Sequence, residues 1–181
     1  MPSTEHQTRR TNKLQRGAAA LEFALVVGAF SALLTGVTEM GRYLYMWNTV
    51  QEVTRRAARF AVVQGFSAGD VDAVQRYAVF HAGEGGKVTV PGAPQVASSQ
   101  VRLRYLDANM NEVESMPADP DDNLAACLDA SRQTTCIRYV EASVCRTQAS
   151  PCVPVEFDSI FGVALRIPPS SVVMAAESLG R

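Results

Sequence analysis

Residues 23–38 (FALVVGAFSALLTGVT) form a run of 16 residues without a charge, placed directly behind a basic stretch. No other feature narrows the choice of fold so far. Between Arg16 and Glu39 lie 22 residues, with Glu22 as the single charge. As a helix at 1.5 Å per residue they span roughly 33 Å, about the thickness of a bilayer core. Residues 1–17 carry Arg9, Arg10, Lys13 and Arg16 against Glu5, a net charge of +3. Basic residues before a span hold that end in the cytoplasm, which places the rest of the chain outside.

The remaining composition mainly excludes. A chain of 181 residues has room for one domain and a long accessory element. Lys and Arg total 17 against 18 Asp and Glu, a net charge of -1, whereas nucleic-acid binders carry a clear basic excess. An apolar content of 47% argues against overall disorder. The two histidines, His6 and His81, leave no material for a His-based triad or a multi-His metal site, and no G-x-S-x-G is present. The expectation is a chain without catalytic residues, metal, cofactor or small-molecule substrate, and without a nucleic-acid partner.

Three readings compete for the apolar segment. A cleaved secretory signal needs a small-x-small site after the run, but Glu39-Met40-Gly41-Arg42-Tyr43 follows it. A plain signal anchor or buried core helix leaves Glu22 unexplained. A carboxylate within a span costs on the order of 2–3 kcal/mol and by default marks function. The third reading accounts for Glu22 and for what precedes it.

The segment Arg16-Gly17-Ala18-Ala19-Ala20-Leu21-Glu22-Phe23 resembles a type IV prepilin processing site. In that class a membrane-embedded peptidase cuts after a Gly that ends a short basic leader, and a Glu stands fifth in the mature chain. The resemblance makes Gly17 the last leader residue, Ala18 the new N-terminus and Glu22 the assembly residue. Phe23 after it is typical of the Flp/Tad branch. Residues 17–64 as a whole are similar to the start of TadE-like proteins, pseudopilins or minor pilins of the tight-adherence machinery. The matching elements are Glu39-Met40-Gly41-Arg42 and Arg55-Arg56-Ala57-Ala58-Arg59-Phe60-Ala61. The partners this implies are a prepilin peptidase, other pilin or pseudopilin subunits, the Tad inner-membrane platform and the lipid bilayer. A new α-amino group on a neighbouring subunit would neutralise Glu22 as apolar helices pack side by side.

Beyond the span, residues 40–64 read as an amphipathic continuation of the helix. Tyr43, Trp47, Val50, Ala57 and Ala61 fall near one face, which is expected to pack on the soluble domain. Tyr43, Tyr45 and Trp47 stand where an interfacial belt belongs. Glu52 and Arg56 have i,i+4 spacing for an ion pair, and Gly65 is expected as the C-cap. Residues 67–82 read as a second helix capped by Ser67 or Asp70.

Strands are expected at residues 87–90, 100–106, 136–145 and 161–167, with an edge strand within 171–178. Along 100–106, Val101, Leu103 and Tyr105 oppose Arg102 and Arg104. Residues 115–125, with Asp119, Asp121 and Asp122, read as a solvated loop, because the Ca²⁺-loop frame is missing. The four cysteines, Cys127, Cys136, Cys145 and Cys152, admit three pairings. If 136–145 is one strand, its ends lie roughly 30 Å apart, too far for a disulfide. Of the two pairings left, Cys127 with Cys136 and Cys145 with Cys152 is favoured, since each closes a short loop at a strand end. No zinc-knuckle spacing occurs.

The resulting expectation is an α+β protein. A basic leader (1–17) is followed by a transmembrane and amphipathic helix (18–64). A small pilin-like periplasmic domain (65–181) completes it, with a short helix and a three- to four-stranded antiparallel sheet. The location is the bacterial inner membrane, single-pass with the N-terminus cytoplasmic, with incorporation into an extracellular pilus as a further step. The competing reading is an uncleaved signal-anchored extracytoplasmic binding domain with no role in a pilus.

Overall fold

The computed structural model describes residues 4–81, 88–148 and 150–180, with side chains from Gly17 onward. The chain divides into two compact units, Met1–Arg42 and Tyr43–Arg181. One helix, α1 (Thr4–Ala61), supplies all the regular structure of the first unit and the opening element of the second. It starts well before the expected position at residue 18. Gln7, Arg9, Arg10, Lys13, Leu14 and Gln15 are good helix formers, and nothing in that stretch stops a helix.

In the second unit α1 is a core element. Met46, Val50, Val53, Ala57, Ala58 and Ala61 are buried, and Tyr43 and Trp47 pack against the same cluster. Small Ala side chains at 57, 58 and 61 let neighbouring elements approach closely. Buried Thr54 returns its hydroxyl to the Val50 carbonyl at 2.7 Å, so the polar atom costs little. The aromatic and alanine stripe expected to face the domain does so. The expected Glu52–Arg56 pair is absent from the observed ion pairs. The Arg56 guanidinium instead lies 4.6 Å from the Tyr77 ring centre and 4.4 Å from that of Phe80.

The end of α1 also differs from expectation. The helix stops at Ala61, and its trailing carbonyls are capped from the far end of the chain. Val62 O accepts from the backbone N–H groups of Glu177, Ser178 and Leu179 at 3.2–3.3 Å, and Val63 O from Gly180 at 3.0 Å. Gly65 serves another purpose: a Cβ there would collide with the Asp70 carboxylate. That carboxylate and Ser67 form a capping box at the start of α2 (Ala68–Ala78).

The remaining elements are β1 (Thr89–Val90), β2 (Ala93–Ala97), β3 (Val101–Leu106), α3 (Pro120–Leu128), β4 (Tyr139–Val144), β5 (Glu156–Asp158), β6 (Ala164–Arg166) and β7 (Ser171–Ala175). The main sheet is antiparallel in the order β3-β4-β7. Two further two-stranded pairs are β1-β2 and β5-β6. Val101 pairs with Val144 and Tyr105 with Val140, so apolar residues face each other across the register. Val101, Val140, Ala142 and Val144 join Val74 and Ala78 of α2 and the stripe of α1 in one core. On the opposite face Arg104 bridges Glu141 at 2.9 Å and Glu112 at 3.2 Å.

Further elements depart from the sequence reading, β2 among them. The stretch read as a loop at 115–125 contains the start of α3. Asp119 is its N-cap, accepting from Asp122 N at 2.7 Å, and Pro120 occupies the first turn. The strand expected at 161–167 is shorter, and it pairs with the unforeseen β5 as a hairpin. Both disulfides, Cys127–Cys136 and Cys145–Cys152, are present, with Cα separations of 4.8 and 5.3 Å. They flank β4 and tie it to α3 on one side and to the loop before β5 on the other.

The packing yields two expectations. Met46→Ala should lower stability by about 2–5 kcal/mol, while Leu128→Ala, at an 80% exposed position, should stay within about 0.5 kcal/mol. Urea unfolding of the detergent-solubilised protein checks both. The second concerns Tyr105, whose ring is buried and whose hydroxyl has no hydrogen-bond partner among the described residues. Burial, with the Asp70 charge adding to it, pushes its pKa up to about 12. A folded pKa above the unfolded value near 10 gives stability that is complete below pH ~10 and is lost as pH rises towards ~12, on the order of 2–3 kcal/mol. Tyr105→Phe should remove that loss, measured as unfolding free energy against pH.

Candidate assembly site on the N-terminal helix

Gly17, Ala18, Glu22 and Phe23 all lie on α1 and are all exposed. Ala18 and Glu22 are one turn apart at i,i+4, so an amine created at Ala18 would stand on the same side of the helix as the Glu22 carboxylate. Gly17 lies inside the helix rather than at its start. A Cβ placed on it meets nothing within 4 Å. The bond between Gly17 and Ala18 is therefore helical, and glycine is the residue that locally weakens it most cheaply.

From there the helix is apolar all round. Leu21, Phe23, Leu25, Val26, Phe30, Leu33 and Val37 are each at least 60% exposed, and the rest of the circumference is taken mainly by Ala and Gly. A helix of this kind is stable only inside a protein core or a bilayer. Gly17–Ala61 contains a stretch long and apolar enough to cross a membrane, the one such helix among the described residues. Its two threonine hydroxyls are satisfied internally, as hydrocarbon demands. The Thr35 hydroxyl donates to Ser31 O at 2.8 Å and that of Thr38 to Leu34 O at 2.9 Å.

Where the apolar run ends, Arg42 Nη1 donates to Glu39 Oε1 at 2.8 Å. The two outer residues of the Glu-x-Gly-Arg element thus neutralise each other within one turn, and Gly41 between them leaves that side of the helix clear. The sequence reading named these residues as a pattern but missed the pairing, although their i,i+3 spacing announces it. It also passed over Ala20, Ala24, Gly28, Ala32 and Gly36, small residues at every fourth position. Such a series lets a second helix approach the backbone closely.

The remaining chemical candidates have structural duties. Asp122 accepts from Arg132 Nη2 at 2.9 Å and from Ala118 N at 3.0 Å. The Arg132 hydrogen bond, followed by the backbone one, holds its carboxyl below the usual range. No group of three His, Cys, Asp or Glu among the described residues is arranged to hold a metal ion. His81 follows α2, and its backbone N–H donates to Arg76 O at 3.1 Å.

No curated protein and no solved structure matches the chain. On the segment just described, residues 17–59 fit the family model described as TadE-like protein, so this part of the chain is similar to that family.

Proposed function

We propose that the chain is a non-enzymatic minor pilin or pseudopilin of a Tad (Flp) type IVb pilus system. In this reading a prepilin peptidase removes residues 1–17. The helix then anchors the protein in the inner membrane with its C-terminal unit in the periplasm. Glu22 directs side-by-side packing with other pilin subunits or with the membrane platform. The observation that carries the proposal is the coincidence of three features on α1 from Gly17 onward. These are the Gly17-to-Glu22 spacing, an exposed helix that is apolar all round, and the TadE-like match.

The rival reading, an uncleaved anchor for an extracytoplasmic binding domain, draws on the unbroken course of α1 through Gly17. Intact mass and N-terminal sequence of the protein from membranes of cells with an active Tad system separate the two. A chain beginning at Ala18 supports processing; one beginning at Met1 or Pro2 supports the rival.

Gly17→Val should abolish that cleavage. Because a Cβ at Gly17 meets no atom of this chain, the block would arise in the peptidase and not in misfolding. A product of mature length from this variant would exclude Gly17 as the processing residue. Glu22→Ala should leave membrane insertion intact, or raise it, since it removes a charge worth about 2–3 kcal/mol from the span. Incorporation into sheared pilus fractions should fall; incorporation at the parent level would remove Glu22 from assembly.

A further inference from the structure

We propose that the free edge of β7 is an interface between two copies of this chain, joined strand to antiparallel strand about a two-fold axis at Val173. The main sheet ends in two edges, β3 and β7. They differ in what their backbones have left to bond. In the β4–β7 register Val172 stands opposite Ala142 and Met174 opposite Val140. The Ala176 N–H donates to Arg138 O at 2.9 Å, so the alternation of an antiparallel ladder turns residues 172, 174 and 176 towards β4. The N–H and C=O groups of Ser171, Val173 and Ala175 therefore point away from the sheet, and no hydrogen bond among the described residues reaches them. The edge of β3 is closed by contrast. Val101 O accepts from Gln75 Nε2 at 2.8 Å and from Gln148 Nε2 at 3.3 Å. Tyr105 O accepts from the Val113 N–H at 3.0 Å, and Leu106 bridges to Glu112.

A row of outward backbone donors and acceptors specifies its occupant as an extended chain, and sheets commonly defend such an edge with a charge, a proline or a bulge. β7 has none of these. Residues 167–176 carry no charge, Pro168 and Pro169 stand before the strand, and the pairing with β4 runs without a shift. The pattern of the strand selects a second β7. A two-fold axis at Val173 sets Val173 opposite its own copy and Ser171 opposite Ala175. All three are outward-bonding positions, so about six backbone hydrogen bonds form. Val172 then meets Met174 of the copy at non-bonded positions, where side chains approach most closely. Both are half-buried at the margin of the core, so the pairing runs the two cores together. On the other face Val173, 43% exposed, meets itself between the small Ser171 and Ala175. Large stands against large and small against small, and no like charges are brought into opposition. Because the edge of β3 is closed, β7 finds no free β3 on a neighbour to join head to tail. The contact closes as a dimer, a six-stranded sheet with both β7 strands at its centre, and does not grow into a ribbon.

Two measurements on the full-length protein test this. Detergent-corrected light scattering of the solubilised protein gives the number of chains per particle, for the parent and for Val173→Lys. The lysine sets two like charges directly opposite each other at the axis while occupying an exposed position of the single chain. Val173→Cys, treated with a short bis-maleimide in detergent and in membranes, reports the register itself, since Val173 lies against its own copy. Met116→Cys, 46% exposed and outside every strand, is the control. Support consists of a parent mass of two chains that falls to one in Val173→Lys with unchanged circular dichroism, and of a homodimer cross-link from Val173→Cys but not from Met116→Cys. If Val173→Lys fails to fold, the cross-link alone decides. A parent that stays monomeric at every concentration, with no cross-link from Val173→Cys, overturns the interface. A dimer that persists in Val173→Lys is held elsewhere in the chain, as by the small residues of α1, and overturns it too. A cross-link from Val173→Cys to a different protein in membranes assigns the edge to a foreign strand and overturns the second copy. None of these readings depends on whether the chain is cleaved after Gly17.

Discussion

An α-helix satisfies its own backbone hydrogen bonds, and that property allows α1 to serve two different surroundings without changing conformation. In water or in a core, other structures compete with a helix; in hydrocarbon only a helix or a closed barrel is available. The side chains of α1 change role along its length while the backbone does not. From Leu21 to Val37 they are mostly apolar and exposed, and from Met46 to Ala61 one stripe is buried against α2 and the main sheet. Such a helix cannot be swapped for a strand in either part. The second unit is built around it, with the two-sided β4 bounded by its disulfides and the capping tail 177–180 at the helix end.

The sequence made α1 and the main sheet legible because both write a period into the chain. Residues 101–106 and 139–144 alternate, and they form β3 and β4 with the apolar sides inward. The elements that were missed are those whose punctuation reads as loop. Asp119-Pro120-Asp121-Asp122 contains the composition of a turn and equally that of a capped helix start, and only burial of Ala126 and Asn123 decides between them. β2 begins just after Pro91-Gly92 and includes Pro94, so no propensity argument finds it; its pairing with β1 is a tertiary fact. The cap of α1 was misassigned to Gly65 because local signals name a local residue, whereas the donors come from more than a hundred positions away.

The candidate site shows the opposite balance. A candidate assembly surface on an exposed apolar helix has no cavity and no buried cluster to mark it, so a single chain displays little of it in three dimensions. Its information lies in the order Gly17, Ala18, Glu22, Phe23 and in the apolar run behind them, which is why it was legible before any coordinates were considered. Coordinates add the relations that order alone hides. Glu39 and Arg42 cancel each other at the end of the run, and Ala18 and Glu22 share a side of the helix.

That last relation bears on how an assembly of such helices would be held in register. In the proposed reading the charge of Glu22 opposes burial until cleavage creates an amine at Ala18. Under that reading the new N-terminus would stand one turn away at i,i+4, on the same side of the helix. An internal pair of this kind keeps the carboxylate tolerable in the membrane while a subunit waits. Exchange of the internal partner for an external one then changes the partner but not the number of charges paired. The net electrostatic gain of that exchange is small, so the driving force for packing falls to the apolar surface and to the small residues 20, 24, 28, 32 and 36. In the proposed assembly Glu22 would then set register: an unpaired carboxylate in a misaligned neighbour would cost several kcal/mol, whereas an aligned one would cost little.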